Sequence, residues 1–292
     1  MKLKLAALSN MPPWEWPADA DKIILEVLHD ETASDSERLL AAGMAGDATV
    51  VNDVMADALL STVSSDKEPD DLRSRAAIAL GPALEYGYID GFEDPDDVPI
   101  TEAMFSKIQD TFREVFMVNR TPKIVLRRIL EASVRAPMNW HRDAVRDAYT
   151  RDDEDWKLTA VFCMQFIRGF DEQILESLSD EKPEIVYEAV CGAGNWAIDA
   201  AWPRIAAFVT SEETDRDLLL AAIEAAASIR PQEASIILGP LMDSDDEDIS
   251  ETVYEALTMT GMFLDDYDDE FLDDDDDEIW DDDEDDDAPT IH

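Results

Sequence analysis

One phrase recurs along this chain and constrains its fold more than any other feature. Pro183-Glu184-Ile185-Val186-Tyr187-Glu188-Ala189-Val190 is echoed by Val253-Tyr254-Glu255-Ala256-Leu257. A second echo sets Asn139-Trp140-His141-Arg142-Asp143-Ala144 against Asn195-Trp196-Ala197-Ile198-Asp199-Ala200, 56 residues later, twice a 28-residue period. Self-similarity at a period of about 20–50 residues marks a repeat architecture, in which each unit buries its apolar face on its neighbours rather than in one central core.

Helix starts recur near Asp66–Pro69, Thr121–Pro122, Asp155, Pro183, Asp215 and Ser250. Each unit reads as a polar turn, an apolar helix, a short break and a second helix. The chemistry of the starts agrees. Ser34-Asp35-Ser36-Glu37 is a capping box, and at Thr121-Pro122 the hydroxyl is placed to cap while proline takes the first helical position, where its missing N–H is harmless. Met104, Phe105, Ile108, Phe112, Val115 and Phe116 form one apolar stripe, and Ile249, Val253, Ala256 and Leu257 another, both at helical spacing. Leu218-Leu219-Leu220-Ala221-Ala222-Ile223 is apolar nearly all round, as suits a helix between neighbours. Leu80-Gly81-Pro82 and Leu238-Gly239-Pro240 read as helix stops or kinks. No segment alternates as a strand.

From Ser34 to Gly261 these hairpins resemble HEAT or HEAT-like, armadillo-type helical repeats. The resemblance implies an all-α solenoid, a right-handed superhelix with a concave surface used mostly for protein–protein contact. Tyr86 to Pro99 departs from it as an acidic loop. The division expected is an N-terminal arm or cap over 1–17, a solenoid over 18–264 and a disordered acidic tail over 265–292.

Charge narrows the partners. The chain has 70 acidic and 23 basic residues, a net charge of −47. Residues 265–287 hold 18 acidic side chains and no base, so residues 1–264 still carry about −29. Such a surface repels phosphate backbones, which are bound through clustered Lys and Arg. Direct nucleic-acid binding is therefore not expected, and the favoured partner is a protein with a basic surface. The same acidity suits solubility or a salty cytoplasm.

Within the tail, Tyr267, Phe271, Leu272, Ile279 and Trp280 punctuate the acid. This acidic-hydrophobic pattern fits a segment that orders on a basic partner, and equally one that only keeps the chain soluble. Trp14 and Trp16, in Pro12-Pro13-Trp14-Glu15-Trp16-Pro17, lie outside the repeat and either cap the first hairpin or dock a partner. These seven residues are the candidate partner contacts.

The sequence offers little catalytic chemistry. His29, His141 and His292 have no companion motif, and His141, beside Trp140 at a helix start, reads as a turn or capping residue. Glycine-rich phosphate loops, nucleophile elbows and zinc motifs are absent. Windows from Asp94 and Asp243 fail the calcium-loop pattern, with Pro99 and Asp248 where glycine is needed. Cys163 and Cys191, 28 residues apart, read as matching core positions, and Trp140 and Trp196 as packing between hairpins. No cofactor or metal is called for. No apolar run spans a bilayer, and the short Leu5-Ala6-Ala7-Leu8 run is no secretory signal, so a reducing cytoplasm is the expected compartment, with Met1 or Met11 as the start.

The leading expectation is a non-catalytic scaffold or adaptor acting through a solenoid face and the acidic tail. The alternatives are an acidic mimic of nucleic acid that chaperones a basic protein, and an enzyme of the lyase type, since HEAT-like repeats resemble those of bilin lyases.

Overall fold

The structure, a computed structural model, describes residues 2–93, 98–118 and 120–259. Among them the regular elements are helices. The first half runs α1 (Lys2–Leu8), α2 (Ala20–His29), α3 (Asp35–Met44), α4 (Asp53–Ser64), α5 (Asp70–Ala79), α6 (Gly81–Ile89), α7 (Glu102–Phe116) and α8 (Lys123–Ser133). The second half runs α9 (Asn139–Thr150), α10 (Glu154–Met164), α11 (Asp171–Ser177), α12 (Pro183–Asn195), α13 (Trp202–Thr210), α14 (Arg216–Ile229), α15 (Pro231–Leu238) and α16 (Glu247–Met259).

Two rows result. Helices α3, α5, α8, α10, α12, α14 and α16 each pack on the next, and α2, α4, α7, α9, α11, α13 and α15 back them. The repeated starts read from sequence each fall at or beside the first turn of a helix of the first row, so the chain is a solenoid of HEAT-like hairpins. The echoed tryptophans pack between units, as expected. Trp140 meets Phe116 of the preceding unit at 5.0 Å between ring centres, and Trp196 Nε1 donates to the Met164 carbonyl at 2.7 Å.

Local chemistry fixes these boundaries. Ser34 N–H donates to Glu37 Oε2 at 3.0 Å, one half of the expected capping box. Asn52 Oδ1 accepts from Val54 and Met55 N–H, both at 3.0 Å, and Pro183 opens α12. Three boundaries differ from the sequence reading. Thr121 does not cap α8: its hydroxyl donates to the Val115 carbonyl at 3.0 Å, and Pro122 stands just outside the helix. Helix α16 opens at Glu247 rather than Ser250, because Asp246 Oδ1 accepts the N–H groups of Asp248 and Ile249 at 3.1 and 3.4 Å. The expected acidic loop at Tyr86 is still helix as far as Ile89. There Gly91, at a φ of +72°, turns the chain so that Phe92 meets Phe105 edge-on at 5.3 Å.

The apolar side chains form two contiguous clusters that meet at α8, where Val125 and Ile129 join the N-terminal one and Leu130 and Val134 the C-terminal one. Leu5 and Leu8 of α1 are buried in the first cluster.

The few bases are spent on a ladder between repeats. Lys123 at the start of α8 pairs with Asp153 and Asp155 at the start of α10, at 2.6 and 2.9 Å. Lys157 pairs with Asp180 at 2.6 Å, Lys182 with Glu154 at 3.0 Å, and Arg216 of α14 with Asp246 at 2.7 Å and with Asp248. The exposed pairs among these are worth about 0–1 kcal/mol each. Their common position at helix starts matches one unit to the next.

Candidate functional site: an acidic groove across three stacked helices

In an α-helix, residues three and four apart share a face. On α12, Glu184, Glu188, Cys191 and Asn195 make such a stripe, as do Asp217, Ala221, Glu224 and Ser228 on α14 and Thr252 and Glu255 on α16. These stripes line two adjoining depressions of about 510 and 560 Å³ that share Ala221 and Glu224, and so form one groove. Its floor is small side chains: Ala221, Ala225 and Ala256. Tyr187 stands at one rim, and Tyr254 of α16, one residue before Glu255, is the most exposed aromatic nearby at 57%.

Three carboxylates occupy one register. Glu188-Ala189, Glu224-Ala225 and Glu255-Ala256 are equivalent pairs on successive helices. Gln165 Nε2, at the end of α10, donates to Glu188. No cation pairs with Glu188, Glu224 or Glu255 among the described residues. The five bases between 165 and 259 are Arg168, Lys182, Arg204, Arg216 and Arg230. Lys182, Arg216 and Arg230 are held in ion pairs elsewhere, Arg168 lies over the Trp196 ring at 4.4 Å and Arg204 over Phe208 at 4.6 Å.

The electrostatics register this imbalance. Burial lifts the Glu188 carboxyl above the usual range, against the Gln165 hydrogen bond, with Glu131 adding to the rise. Glu224 is raised by burial and then by Glu255. The Cys191 thiol is pushed up to about 11 by burial and by Glu188, so it is no nucleophile at neutral pH. Each of these shifts is one that a bound cation would reverse.

Several sequence candidates fall elsewhere. Trp16 packs on the N-terminal core, and its Nε1 donates to the carbonyls of Leu8 and Met11 at 2.9 and 3.1 Å. Trp14 is 80% exposed. The two do not share a surface with the groove, which lies on α12 to α16. Tyr267, Phe271, Leu272, Ile279 and Trp280 lie outside the described residues, as does the disorder expected of 265–292. Cys163 is core, but Cys191 is half-buried and lines the groove. His141 is fully buried. Its Nδ1 accepts the Met138 N–H at 2.8 Å and its Nε2 faces Ser133 Oγ at 2.9 Å, so it caps α9 from within the core.

Sequence reading passed over Glu188, Glu224 and Glu255 because carboxylates are too common here to single out a pair. Phase within the repeat was the available signal, since each glutamate interrupts an apolar run just before its alanine. Among the described residues no group of His, Cys, Asp and Glu is placed to hold a metal ion, and no helix is long and apolar enough to cross a membrane.

No family model and no curated protein matches the chain. Solved structures similar to it include human deoxyhypusine hydroxylase, 16% identical over 88% of this chain and 88% of that one, with a TM-score of 0.38. The complex of CpcE and CpcF of phycocyanin lyase from Nostoc is 15% identical over 86% of this chain and 97% of that one, at a TM-score of 0.43. An archaeal HEAT-like repeats protein from Thermococcus onnurineus is 15% identical over 83% and 97%, at 0.39. At these identities the likeness is one of fold. It corrects one expectation: that this chain is not an enzyme does not stand, since a hydroxylase and a lyase are among the proteins it is similar to. The physical reason is that stacked hairpins can converge single side chains from separate units, which a search for contiguous motifs does not see.

Proposed function

We propose that this protein is a helical-repeat holder of a partner protein, gripping basic side chains of that partner in the groove across α12, α14 and α16. One observation carries the reading: Glu188, Glu224 and Glu255 stand in one register on successive helices, while every base between 165 and 259 is engaged elsewhere. Glu188 is half-buried while Glu224 and Glu255 are exposed; a lysine or arginine arriving from outside supplies the counter-charge that the buried part of Glu188 lacks. The tail, with its 18 acidic residues, adds a long-range field that speeds encounter and is screened beyond about 8 Å at physiological salt. Tyr267, Phe271, Leu272, Ile279 and Trp280 are proposed as its apolar anchors, and Trp14 as a further contact.

Zero-length carbodiimide coupling joins a carboxylate only to an amine in direct contact, so it tests the groove directly. Applied to the full chain in its own cell extract, it should give partner lysines joined to Glu188, Glu224 or Glu255. Those products should vanish in E188Q/E224Q/E255Q and persist in a chain ending at Leu264. Products confined to the tail would move recognition out of the groove and overturn the reading.

A further inference from the structure

The row of first helices is not held together evenly along its length. We infer that the solenoid is two rigid halves, α1–α8 and α9–α16, that separate at a polar seam between α8 and α10. The opening belongs to the free chain and is independent of what the groove holds. Within each half the first-row helices close backbone to backbone. A Cβ on Gly46 would lie 2.2 Å from the Ala79 carbonyl oxygen where α3 meets α5, and one on Gly194 of α12 would lie 2.9 Å from Ala225 Cα of α14. Neither α8 nor α10 contains a glycine, and the two touch over a shorter stretch than any other successive pair of the row. The apolar clusters divide at the same place, with Val125 and Ile129 in one and Leu130 and the adjoining Val134 in the other.

What bridges the seam is largely polar. Arg127, Glu131 and Arg135 follow one another at four-residue intervals. Arg127 Nε donates to Thr159 Oγ1 of α10 at 2.9 Å, and that hydroxyl donates to buried Glu131 at 2.5 Å. Ser133 Oγ of α8 meets His141 Nε2 of α9 at 2.9 Å. Arg135 pairs with Glu85 of its own half, while its guanidinium lies over the Phe162 and Phe166 rings of the other at 5.7 and 5.2 Å. Among the described residues two buried side-chain N–H groups find no acceptor, Arg135 Nε and Trp140 Nε1, and both stand at this junction, Trp140 against Phe116 of α7. Such donors are unfavourable while buried and regain partners in water. Glu131 also gains hydration on opening and keeps Arg128, a neighbour on its own helix. Separation therefore exposes Leu130 and Val134 but relieves two orphaned donors and a buried carboxylate, which makes it easier than unfolding either half. The chain crosses once, through Arg135-Ala136-Pro137-Met138, so the halves stay joined.

Cys163 is a built-in reporter of the opening. Four residues after Thr159, it is buried on the face of α10 turned to α8, whereas Val161, equally buried, points about half a turn away. A full-length C191S/V161C chain therefore carries one thiol on each face. Labelling with N-ethylmaleimide in low urea, read at each position by tandem mass spectrometry, should modify Cys163 about tenfold faster than the thiol at 161. Its rate should also rise less steeply with urea, because opening the seam exposes less surface than global unfolding. Thr159→Val breaks the bridge to Glu131 and should speed labelling at 163 by about tenfold. Thermal melting checks that each variant is folded, and Val190→Cys on α12 replaces V161C if that chain is not. Equal rates at the two positions with one shared urea dependence would mean that both are reached only by unfolding, and the seam would not open. Labelling of neither below the unfolding transition, or a rate at 163 that Thr159→Val leaves unchanged, overturns the inference as well.

Discussion

Thr159 of α10 donates its hydroxyl at 2.5 Å to Glu131 of α8, 28 residues earlier, and Arg127 Nε donates to the same hydroxyl at 2.9 Å. Glu131 is buried, and Arg128 is its other partner. This relay satisfies a carboxylate inside the stack and ties one repeat to the next. Thr159→Val keeps the shape but removes both bonds, leaving a buried charged group short of a donor, which costs about 1–3 kcal/mol. The urea midpoint should fall accordingly for the valine variant, whereas Thr159→Ser, which keeps the hydroxyl, should retain most of the stability. An unchanged midpoint for the valine variant would mean that Arg128 alone satisfies Glu131.

His141 makes stability depend on pH. Burial lowers its pKa from 6.5 to about 4, against the effect of the Met138 backbone contact. The folded protein thus holds fewer protons on this ring than the unfolded chain between those values. Its contribution is complete above about pH 6.5, is lost as pH falls toward 4, and is constant below; the total is on the order of 3 kcal/mol. Glu188 and Glu224, whose pKa values are raised, act in the opposite sense, so the comparison must be with His141→Gln. The gap in melting temperature between wild type and that variant should shrink from pH 7 to pH 4.5. A constant gap would show that the ring is not the titrating group.

The repeat was legible because its signals are local. Pro183, Asp215 and the Ser34–Glu37 box each mark a helix start through their own backbone chemistry, and the structure opens α12, α14 and α3 there. Thr121 misled because a distant acceptor, the Val115 carbonyl, outcompeted the local cap. Tyr86 to Ile89 misled because an acidic, glycine-containing run follows them from Asp90, whereas Gly87, buried against Phe92 and Phe105, continues α6 to Ile89. The groove was hidden for a different reason. Whether a glutamate is compensated depends on where every base in the neighbourhood goes, and those pairs join residues 23 to 32 positions apart.

Helix α5 crosses the end of α3 so closely that a Cβ built on Gly46 would lie 2.2 Å from the Ala79 carbonyl oxygen. Backbone must shift to accept it. Gly46→Ala should therefore destabilise by about 1–3 kcal/mol. Gly239 has helical dihedrals and open space around it, so Gly239→Ala should be neutral or stabilising by up to about 1 kcal/mol. Chemical denaturation of the pair checks this, and similar midpoints for both would refute the close approach of α3 and α5.

Trp14 and Trp16 separate the two roles that the proline-rich arm was expected to play. Trp16 closes the first hairpin: its ring packs on the N-terminal cluster, and its Nε1 donates to the carbonyls of Leu8 and Met11, which lie at and just beyond the end of α1, the Leu8 carbonyl also accepting the Met11 N–H at 3.0 Å. Trp16→Phe, which keeps the ring contact and removes the donor, should cost about 1–2 kcal/mol, and Trp16→Ala more, because packing is lost as well. Trp14 is 80% exposed on the same arm and contributes little to the core. Its replacement by alanine should leave the melting temperature unchanged and lower the yield of partner cross-linking. A drop in melting temperature equal to that of Trp16→Ala would make both tryptophans parts of the cap. Unchanged melting with unchanged cross-linking would remove Trp14 from the contact surface and leave recognition to the groove and the tail.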